Sequence, residues 1–300
     1  MCAERIGVYT TMYPGVEPFL PDWRASLEAQ LDREFELWVG LDSLAPEAAM
    51  AAAGAAIDAI WVRGSAGDSP ARIRSMAIAQ MVERYPSVVF VDSDDVLHPT
   101  RIGAARAALT ETEVAACGLA IGDEHARDTG LRFGPTRAHL GGLVAQYNVF
   151  GLSNSAFRSD VLRACLPVPD GCILYDWLLA TRAWSRHAAM HFDPVARMTY
   201  RHHGANIAGV LPPYTGAYVA RACRLVLAHY GFALDPEWPM DSGRRAELEA
   251  AQDRAARFSA AMTASPALLE QYVAALNCLD PEYIWWWPIA HPELEELWSN

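Results

Sequence analysis

Short apolar runs alternate with longer stretches of helical periodicity through the first third of the chain. The apolar runs predict strands, at residues 6–11, 35–41, 59–62 and 88–91. The intervening stretches predict helices, one at 23–31 with Asp22 as its N-cap and another at 70–85 with Pro70 in its first turn. Strands and helices that alternate in this way predict an α/β fold, with a mostly parallel sheet sandwiched by helices.

The pattern changes towards the end of the chain. Before residue 211 it predicts further strands and helices, at 114–121, 149–163, 176–184 and 196–200. From Pro212 onward long helices follow one another, such as 215–230 and 244–262. We therefore predict an α/β domain over residues 1–210 and a helical C-terminal extension over 211–300.

Acidic side chains follow one of the predicted strands. In VVFVDSDDVLHP, a fully apolar run ends in Asp92, Asp94 and Asp95. Carboxylates this close repel one another unless a cation lies among them, and hard divalent ions take oxygen ligands. The segment therefore predicts a metal site. The alternative is a solvated turn that caps a helix beginning near residue 98.

Two other polar residues also follow predicted strands directly. Thr11 ends the first strand and Asp42 follows the second. Because ligands of open α/β sheets bind beyond the carboxyl ends of the strands, we expect both residues to lie beside the aspartate cluster. Asp42 could equally be a turn residue that closes its strand.

Composition and charge narrow the classes of function. The chain is 52% hydrophobic and 20% charged, as expected of a packed globular protein. Its net charge of −12 disfavours nucleic acid as a partner. The sequence has no lysine, so all 24 basic residues are arginines and any phosphate bound by a side-chain cation must be bound by arginine.

The cysteines and apolar stretches predict where the protein resides. Six cysteines are scattered without metal-ligand spacing, which disfavours zinc and favours free thiols in a reducing compartment. The N-terminus runs into a predicted strand without the features of a signal peptide, and the apolar stretch 48–62 is too short to span a membrane. We therefore expect a cytoplasmic protein without a transmembrane segment.

Four motifs together resemble a known enzyme family. These are the strand ending in DSDD, the SPARIRSMA segment before it, CILYDWLLATRAW and MTYRHHGANIAG. Over residues 6–210 the chain resembles the inverting glycosyltransferases of family 2, which have the GT-A fold. The resemblance implies that residues 1–110 bind the nucleotide sugar, that residues 111–210 bind the acceptor, and that a metal ion, Mn²⁺ or Mg²⁺, takes part.

The resemblance assigns donor-side roles to particular residues. Asp94 would be the principal metal ligand, and Asp92 would lie near both the metal and the ribose. Asp95 is their neighbour, and His203 would approach the metal or the diphosphate. The remaining donor-side residues that it implies are Thr11, Tyr13, Asp42, Arg72, Ser93 and Arg201, with Asn206 shaping the last loop and His202 at a variable position.

The resemblance also implies an acceptor side. Asp176, at the start of a predicted helix, matches the family's catalytic base, with Trp177 beside it. A base must reach the acceptor hydroxyl, because that proton leaves as the oxygen attacks the anomeric carbon. A helix cap is the alternative for Asp176, and the two roles are compatible. Ser153, Asn154 and Arg158 match a segment that lines the acceptor side.

The predicted function is transfer of a sugar from a nucleotide-diphosphate donor to a saccharide, a lipid-linked or another hydroxyl acceptor. Two alternatives remain open, a non-catalytic glycan-binding or scaffolding protein and a phosphohydrolase of the haloacid dehalogenase type. The second is disfavoured because that type relies on a lysine and starts near the N-terminus. In the extension, YIWWWP could stack on a sugar, meet a lipid-linked acceptor at a membrane surface, or pack against the catalytic domain.

Overall fold

The computed structural model describes residues 4–135, 140 and 142–299. Within them, nine strands form one sheet. The strands are β1 (Ile6–Met12), β2 (Phe35–Leu41), β3 (Ile60–Arg63), β4 (Ser87–Phe90), β5 (Val96–Leu97), β6 (Val114–Gly122), β7 (Asp128–Phe133), β8 (Ser155–Arg158) and β9 (Met190–Arg201). All seven residues of β1 and all four of β4 are buried, so helices cover both faces of the sheet centre.

The helices of the described residues connect these strands and then form the C-terminal extension. Those before residue 211 are α1 (Leu20–Glu28), α2 (Pro46–Ala53), α3 (Pro70–Met81), α4 (Arg101–Ala108), α5 (Leu143–Gln146), α6 (Ser159–Ala164) and α7 (Tyr175–Ser185). Those after it are α8 (Gly216–Ala233), α9 (Ser242–Ala264), α10 (Pro266–Leu276) and α11 (Glu295–Trp298). The predicted helices after residue 211 are therefore present, and the domain boundary at that point stays a prediction.

The sheet has the order β3-β2-β1-β4-β8-β6-β9-β5, and β7 pairs with β6 at the side. The first four strands of this order run parallel, and the β6–β9 pair is also parallel. The pairs β4–β8, β8–β6 and β9–β5 are antiparallel. The predicted mostly parallel α/β sheet is confirmed, and its carboxyl ends lie at one edge: Asp42 N donates to Met12 O at 2.9 Å.

Local structure corrects two predicted helix starts. The cap predicted at Asp22 is wrong, because a 3₁₀ turn at Glu17–Phe19 leads straight into α1, which begins at Leu20. The helix expected near residue 98 begins instead at Arg101. The residues between the acidic segment and that helix form β5, whose partner β9 lies far away in the sequence.

The region between β6 and α5, which sequence patterns left unassigned, contains β7. This strand is mostly exposed and pairs with β6 as a hairpin. The five cysteines of the described residues are free, and Cys2 lies outside them. In the same described ranges, no helix is both long enough and apolar enough to cross a membrane.

Candidate active site

Three carboxylates lie together where the chain leaves β4, and we call Asp92, Asp94 and Asp95 the acid corner. One oxygen from each residue lies within 4.8 Å of the others. Asp95 is 1% exposed, and its Oδ1 accepts a hydrogen bond from Arg201 N at 2.8 Å. Its Oδ2 is buried and has no hydrogen-bond partner among the described residues. A buried carboxylate oxygen without a partner is costly unless a cation compensates it.

Burial and mutual repulsion act on the protonation of the acid corner. Burial, with the nearby charge of Asp94, raises the pKa of Asp92 to about 7. The same two causes, with the charge of Asp92 added, raise the pKa of Asp95 well above its usual range. These carboxylates therefore resist ionisation when no cation is present. A divalent ion removes both penalties, so the donor set and the orphaned oxygen fit a metal site.

Two side chains contact the same oxygen of Asp94. Tyr13 Oη donates to Oδ2 at 3.0 Å, and His203 Nε2 lies 3.2 Å from that oxygen. Phe19 stacks on the His203 ring with centroids 4.8 Å apart. Burial, followed by the charges of Asp94 and Asp92, raises the pKa of Tyr13, so the phenol stays a donor. The predicted placement of His203 beside the aspartates is therefore seen in the structure.

Arg201 stabilises the acid corner through hydrogen bonds to Asp94 and Asp95. Its side chain is 2% exposed, and Nε donates to Asp94 O at 2.8 Å. Its Nη1 donates to Glu124 O at 2.9 Å and Nη2 to Asp22 Oδ2 at 3.0 Å. Since these bonds occupy the guanidinium, Arg201 positions the backbone of the corner. It does not line the cavity described next.

A cavity of about 730 Å³ opens beside the acid corner. It is lined by residues from the carboxyl ends of β1, β2 and β4, from the start of α7, and from the loops around residues 150 and 206. The lining includes several residues selected from the sequence, namely Thr11, Tyr13, Asp42, Asp92, Asp94, Ser153, Asp176 and Asn206. Ser153 Oγ donates to Asp92 Oδ2 at 2.8 Å.

Other predicted site residues lie behind the lining and support it. Ser93 Oγ donates to Thr11 O at 2.6 Å, which joins the ends of two strands. Asn154 is fully buried, and its Nδ2 donates to Cys117 O at 2.7 Å. Trp177 is also buried, and its Nε1 donates to Val144 O at 2.9 Å. Arg158 does not belong with these residues, and its predicted place on the acceptor side is wrong: it is exposed, pairs with Asp160 at 3.0 Å and lies beside Ser87 at the start of β4, outside the lining.

The arginine that reaches the cavity is Arg74, whereas the sequence analysis selected Arg72. Arg72 is half exposed and pairs with Asp68 at 3.0 Å and Asp170 at 3.4 Å. Arg74 lines the cavity, and its Nε donates to Thr11 Oγ1 at 3.3 Å. Residues two apart on a helix face different directions.

A signal for Arg74 was present in the sequence. Arg74 lies three residues after Ala71 and four before Ile78, both buried on α3, so helical spacing places it on the inward face.

The positive charge of Arg74 also lowers the pKa of Asp92 and of Asp176, although burial outweighs that effect at both. The cavity therefore contains one arginine among several carboxylates.

Asp176 lines the same cavity as Asp92 and Asp94. It is the second residue of α7, whose N-cap is Leu174, so its carboxylate does not cap the helix in the usual way. Asn148 Nδ2 donates to Asp176 Oδ2 at 2.9 Å, and Trp177 N donates to Oδ1 at 2.8 Å. Burial raises the pKa of Asp176, and its charge in turn raises the pKa of Asp92. The two sets of carboxylates therefore belong to one electrostatic site.

The sequence analysis missed Asn148 and did not place the aromatic run of the extension. Asn148 lines the cavity and forms an isolated antiparallel backbone bridge with Trp285. Trp285 and Trp286 line the cavity as well, and we call these two residues the aromatic wall. They are only 5% and 3% exposed, so the run both packs against the α/β domain and reaches the site.

Fold and site together define a GT-A-type α/β protein with an acid corner at the carboxyl edge of its sheet. No protein-family model matches this sequence, and no curated protein matches it. Solved structures do match: S. aureus TarS 1–349 in complex with UDP-GlcNAc has a TM-score of 0.60 at 15% identity, over 90% of this chain and 78% of that chain. Mannosyltransferase PcManGT from Pyrobaculum calidifontis in complex with GDP-Man and Mn²⁺ has a TM-score of 0.55 at 15% identity, over 91% of this chain and 80% of that chain. At such identities the likeness establishes the fold, and it confirms the GT-A type predicted from the sequence.

Proposed function

We propose that this protein is a metal-dependent glycosyltransferase that moves a sugar from a nucleoside-diphosphate donor to an acceptor hydroxyl with inversion. One observation carries the proposal: Asp92 and Asp94 of the acid corner line one cavity with Asp176, and the charge of Asp176 raises the pKa of Asp92. The complexes of the structural neighbours, with UDP-GlcNAc and with GDP-Man and Mn²⁺, support a nucleotide sugar as the donor and Mn²⁺ as the metal.

On the donor side, Asp94 and Asp92 would hold Mn²⁺ or Mg²⁺, with Asp95 Oδ2 and His203 close by. When bound, the metal would act as a Lewis acid that stabilises charge on the leaving diphosphate. Arg74 supplies a second cation in the cavity and is our candidate for contact with phosphate.

The nucleoside would occupy the edge formed by β1 and β2. Thr11, Tyr13 and Asp42 line the cavity there, and Asp42 N is anchored to the end of β1 by its bond to Met12 O at 2.9 Å. Asp42 can accept a hydrogen bond from the edge of a base. We keep residues 1–110 as the nucleotide-sugar half, residues 111–210 as the acceptor half and 211–300 as a helical extension.

On the acceptor side, Asp176 would act as the general base. It accepts the proton of the acceptor hydroxyl while that oxygen forms a bond to the anomeric carbon and the bond from that carbon to the diphosphate breaks. A raised pKa suits this role, since a base works best when its pKa is near the working pH. Asn148 orients the carboxylate through its hydrogen bond to Oδ2 at 2.9 Å.

The test is a panel of nucleotide sugars with simple glycoside acceptors, with Mn²⁺ or with EDTA, followed by mass spectrometry of the products. We expect transfer only with metal. Asp176→Asn should lower kcat by ~100- to 10,000-fold, because it removes the base, while calorimetry finds nucleotide and Mn²⁺ binding unchanged. An Asp176→Asn protein that transfers sugar normally would contradict the base assignment. Donor binding without any transfer by the unmodified protein would favour a glycan-binding protein instead.

A phosphohydrolase has less support. The sequence has no lysine, and the acid corner follows β4, behind three earlier strands of the sheet. The same assays separate the two activities, because a phosphohydrolase would release inorganic phosphate from a phosphate monoester such as p-nitrophenyl phosphate, and we expect none.

A further inference from the structure

The aromatic wall is held firmly against the candidate base. The backbone bridge between Trp285 and Asn148 joins the wall to the residue whose side chain donates to Asp176 Oδ2. On its other side, Trp285 packs on Phe133 with ring centroids 4.1 Å apart. Gly151 lies so close to Trp285 that an added Cβ would come within 2.4 Å of the indole. The wall therefore has a fixed place next to the carboxylate.

Three features describe Trp286 at this place: its backbone conformation, its ring contact and its indole N–H. Its φ of 72° lies in the left-handed region, which is strained for a residue other than glycine and persists where the surroundings enforce it. Its ring stacks in parallel on Trp177, with centroids 6.3 Å apart. Its Nε1 is buried and has no hydrogen-bond partner among the described residues. A buried donor without a partner is costly, and a ligand oxygen would remove that cost.

The lining of the cavity combines two kinds of chemistry. It contains carboxylates and Arg74, and it also contains apolar side chains, among them Leu152, Ile207 and the two tryptophans. A sugar ring has both an apolar face, which stacks on indole, and hydroxyls, which can accept from an indole N–H and donate to a carboxylate. A lipid chain would leave the N–H of Trp286 without a partner.

We infer that the aromatic wall is the acceptor subsite, and that it receives a sugar ring whose hydroxyl faces Asp176. The inference rests on the proposed glycosyltransferase function and adds to it the class of acceptor, a saccharide. It also gives the helical extension a role in the site, since Trp285 and Trp286 belong to the extension. The nucleotide-sugar half contributes no residue to this wall.

The experiment measures sugar binding separately from donor binding. Saturation-transfer NMR is recorded on the full chain with methyl glycosides of glucose, mannose and N-acetylglucosamine, with and without Mn²⁺ and UDP or GDP, and with 1-hexanol as an apolar probe. Trp286→Phe keeps an aromatic ring and removes the N–H. Trp61→Phe, on β3 and outside the cavity lining, is the matched control.

We expect at least one glycoside to bind the unmodified protein and the Trp61→Phe control equally. Trp286→Phe should bind it about three- to tenfold more weakly, the worth of one hydrogen bond, while binding of Mn²⁺ and nucleotide is unchanged. The proposal of an acceptor subsite is overturned if no glycoside binds the unmodified protein, or if Trp286→Phe binds the glycoside as well as the Trp61→Phe control does. It is also overturned if Trp286→Phe weakens the binding of 1-hexanol and leaves glycoside binding unchanged. A protein that binds neither Mn²⁺ nor nucleotide, but still binds glycosides through Trp286, would instead contradict the proposed function.

Discussion

Asp92 and Asp94 of the acid corner line the same cavity as the aromatic wall, but different forces act on the two regions. The corner gathers charges that repel one another, and Asp95 Oδ2 has no partner there. The rings of the wall pack on other aromatic rings, Trp285 on Phe133 and Trp286 on Trp177, and both tryptophans are almost fully buried. The corner therefore gains stability when a cation arrives, whereas the wall is stable through packing alone. We expect ligands and mutations to affect the two regions differently.

The two regions also differ in how far apart in the sequence their contacting residues lie. The acid corner comes from four consecutive residues at the end of one strand. The wall requires that the C-terminal extension reach back to Asn148 and Gly151. A region assembled locally can be recognised in a sequence, whereas a region assembled over a long range can be recognised only in a fold.

The largest expected effect is at the corner, in Asp94→Asn. Loss of this ligand should lower the affinity for Mn²⁺ by at least about 100-fold, measured by calorimetry. Without metal at pH 8, the same change should raise the free energy of unfolding by on the order of 1 kcal/mol, because it removes a charge that repels Asp92 and Asp95. Asp58→Asn, at an exposed position outside the cavity lining, should change neither quantity. Normal Mn²⁺ binding by Asp94→Asn would refute the metal site.

The next effect compares two arginines of α3. Arg74→Ala should weaken binding of UDP or GDP, in the presence of Mn²⁺, by about 10- to 100-fold, because it removes a charged donor from the cavity. Arg72→Ala should change it by less than about twofold, since its exposed ion pairs are worth little. Fluorescence or calorimetric titration measures both, and the reverse order of effects would restore the assignment made from the sequence.

A third prediction concerns the packing of the wall. Gly151→Ala places a methyl group against the Trp285 indole and should lower the free energy of unfolding by about 1–3 kcal/mol, measured with urea. The control is Gly231→Ala in α8, where an added Cβ meets nothing within 4 Å and better helix propensity should stabilise the protein by up to about 1 kcal/mol. Equal effects at the two glycines would mean that the wall is not tightly packed.

The smallest expected effect is on the pH dependence of the free energy of unfolding in metal-free protein, where Asp92 and His229 act in opposite directions. The pKa of Asp92 is raised from 3.8 to about 7, so the folded state binds this proton more tightly than the unfolded state does. The contribution of Asp92 to the free energy of unfolding therefore falls as the pH rises from 4 to 7. His229, which stacks on Trp177, has its pKa lowered by burial from 6.5 to about 3. Its contribution is present above pH 6.5 and falls as the pH drops towards 3, because the unfolded state then binds the proton.

Urea unfolding between pH 5 and 8 in EDTA separates the two groups. Asp92→Asn should reduce the loss of stability towards neutral pH, and His229→Gln should reduce the loss towards acid pH, each by on the order of 1 kcal/mol. If neither variant changes how the free energy of unfolding depends on pH, both groups have ordinary pKa values. Burial then does not shift the pKa of Asp92 or of His229.

The strands, the parallel sheet and the acid corner could be predicted because they depend on local patterns. Apolar runs mark β1, β2 and β4, and the residues after them share one edge of the sheet. The choice between Arg72 and Arg74 was also accessible, since the helical spacing from Ala71 and Ile78 identifies the inward residue.

The remaining errors had physical causes that lie outside the local sequence. Asp22 does not cap α1, because the 3₁₀ turn before it starts the helix early. Residues 96–97 form a strand only because β9 pairs with them. The role of Asn148 depends on its contacts with Asp176 and Trp285, which come from distant parts of the chain.

The bridge between Asn148 and Trp285 has a consequence for the order of folding. Contacts between residues close in sequence form early, and contacts of large sequence separation form late. We therefore expect β1–β4 to assemble before the extension returns to Asn148, and the carboxylate of Asp176 to reach its final orientation only when that return is complete. Under the proposed function, a chain trapped before this step would bind a nucleotide sugar without transferring it, so donor binding and sugar transfer should recover at different times during refolding.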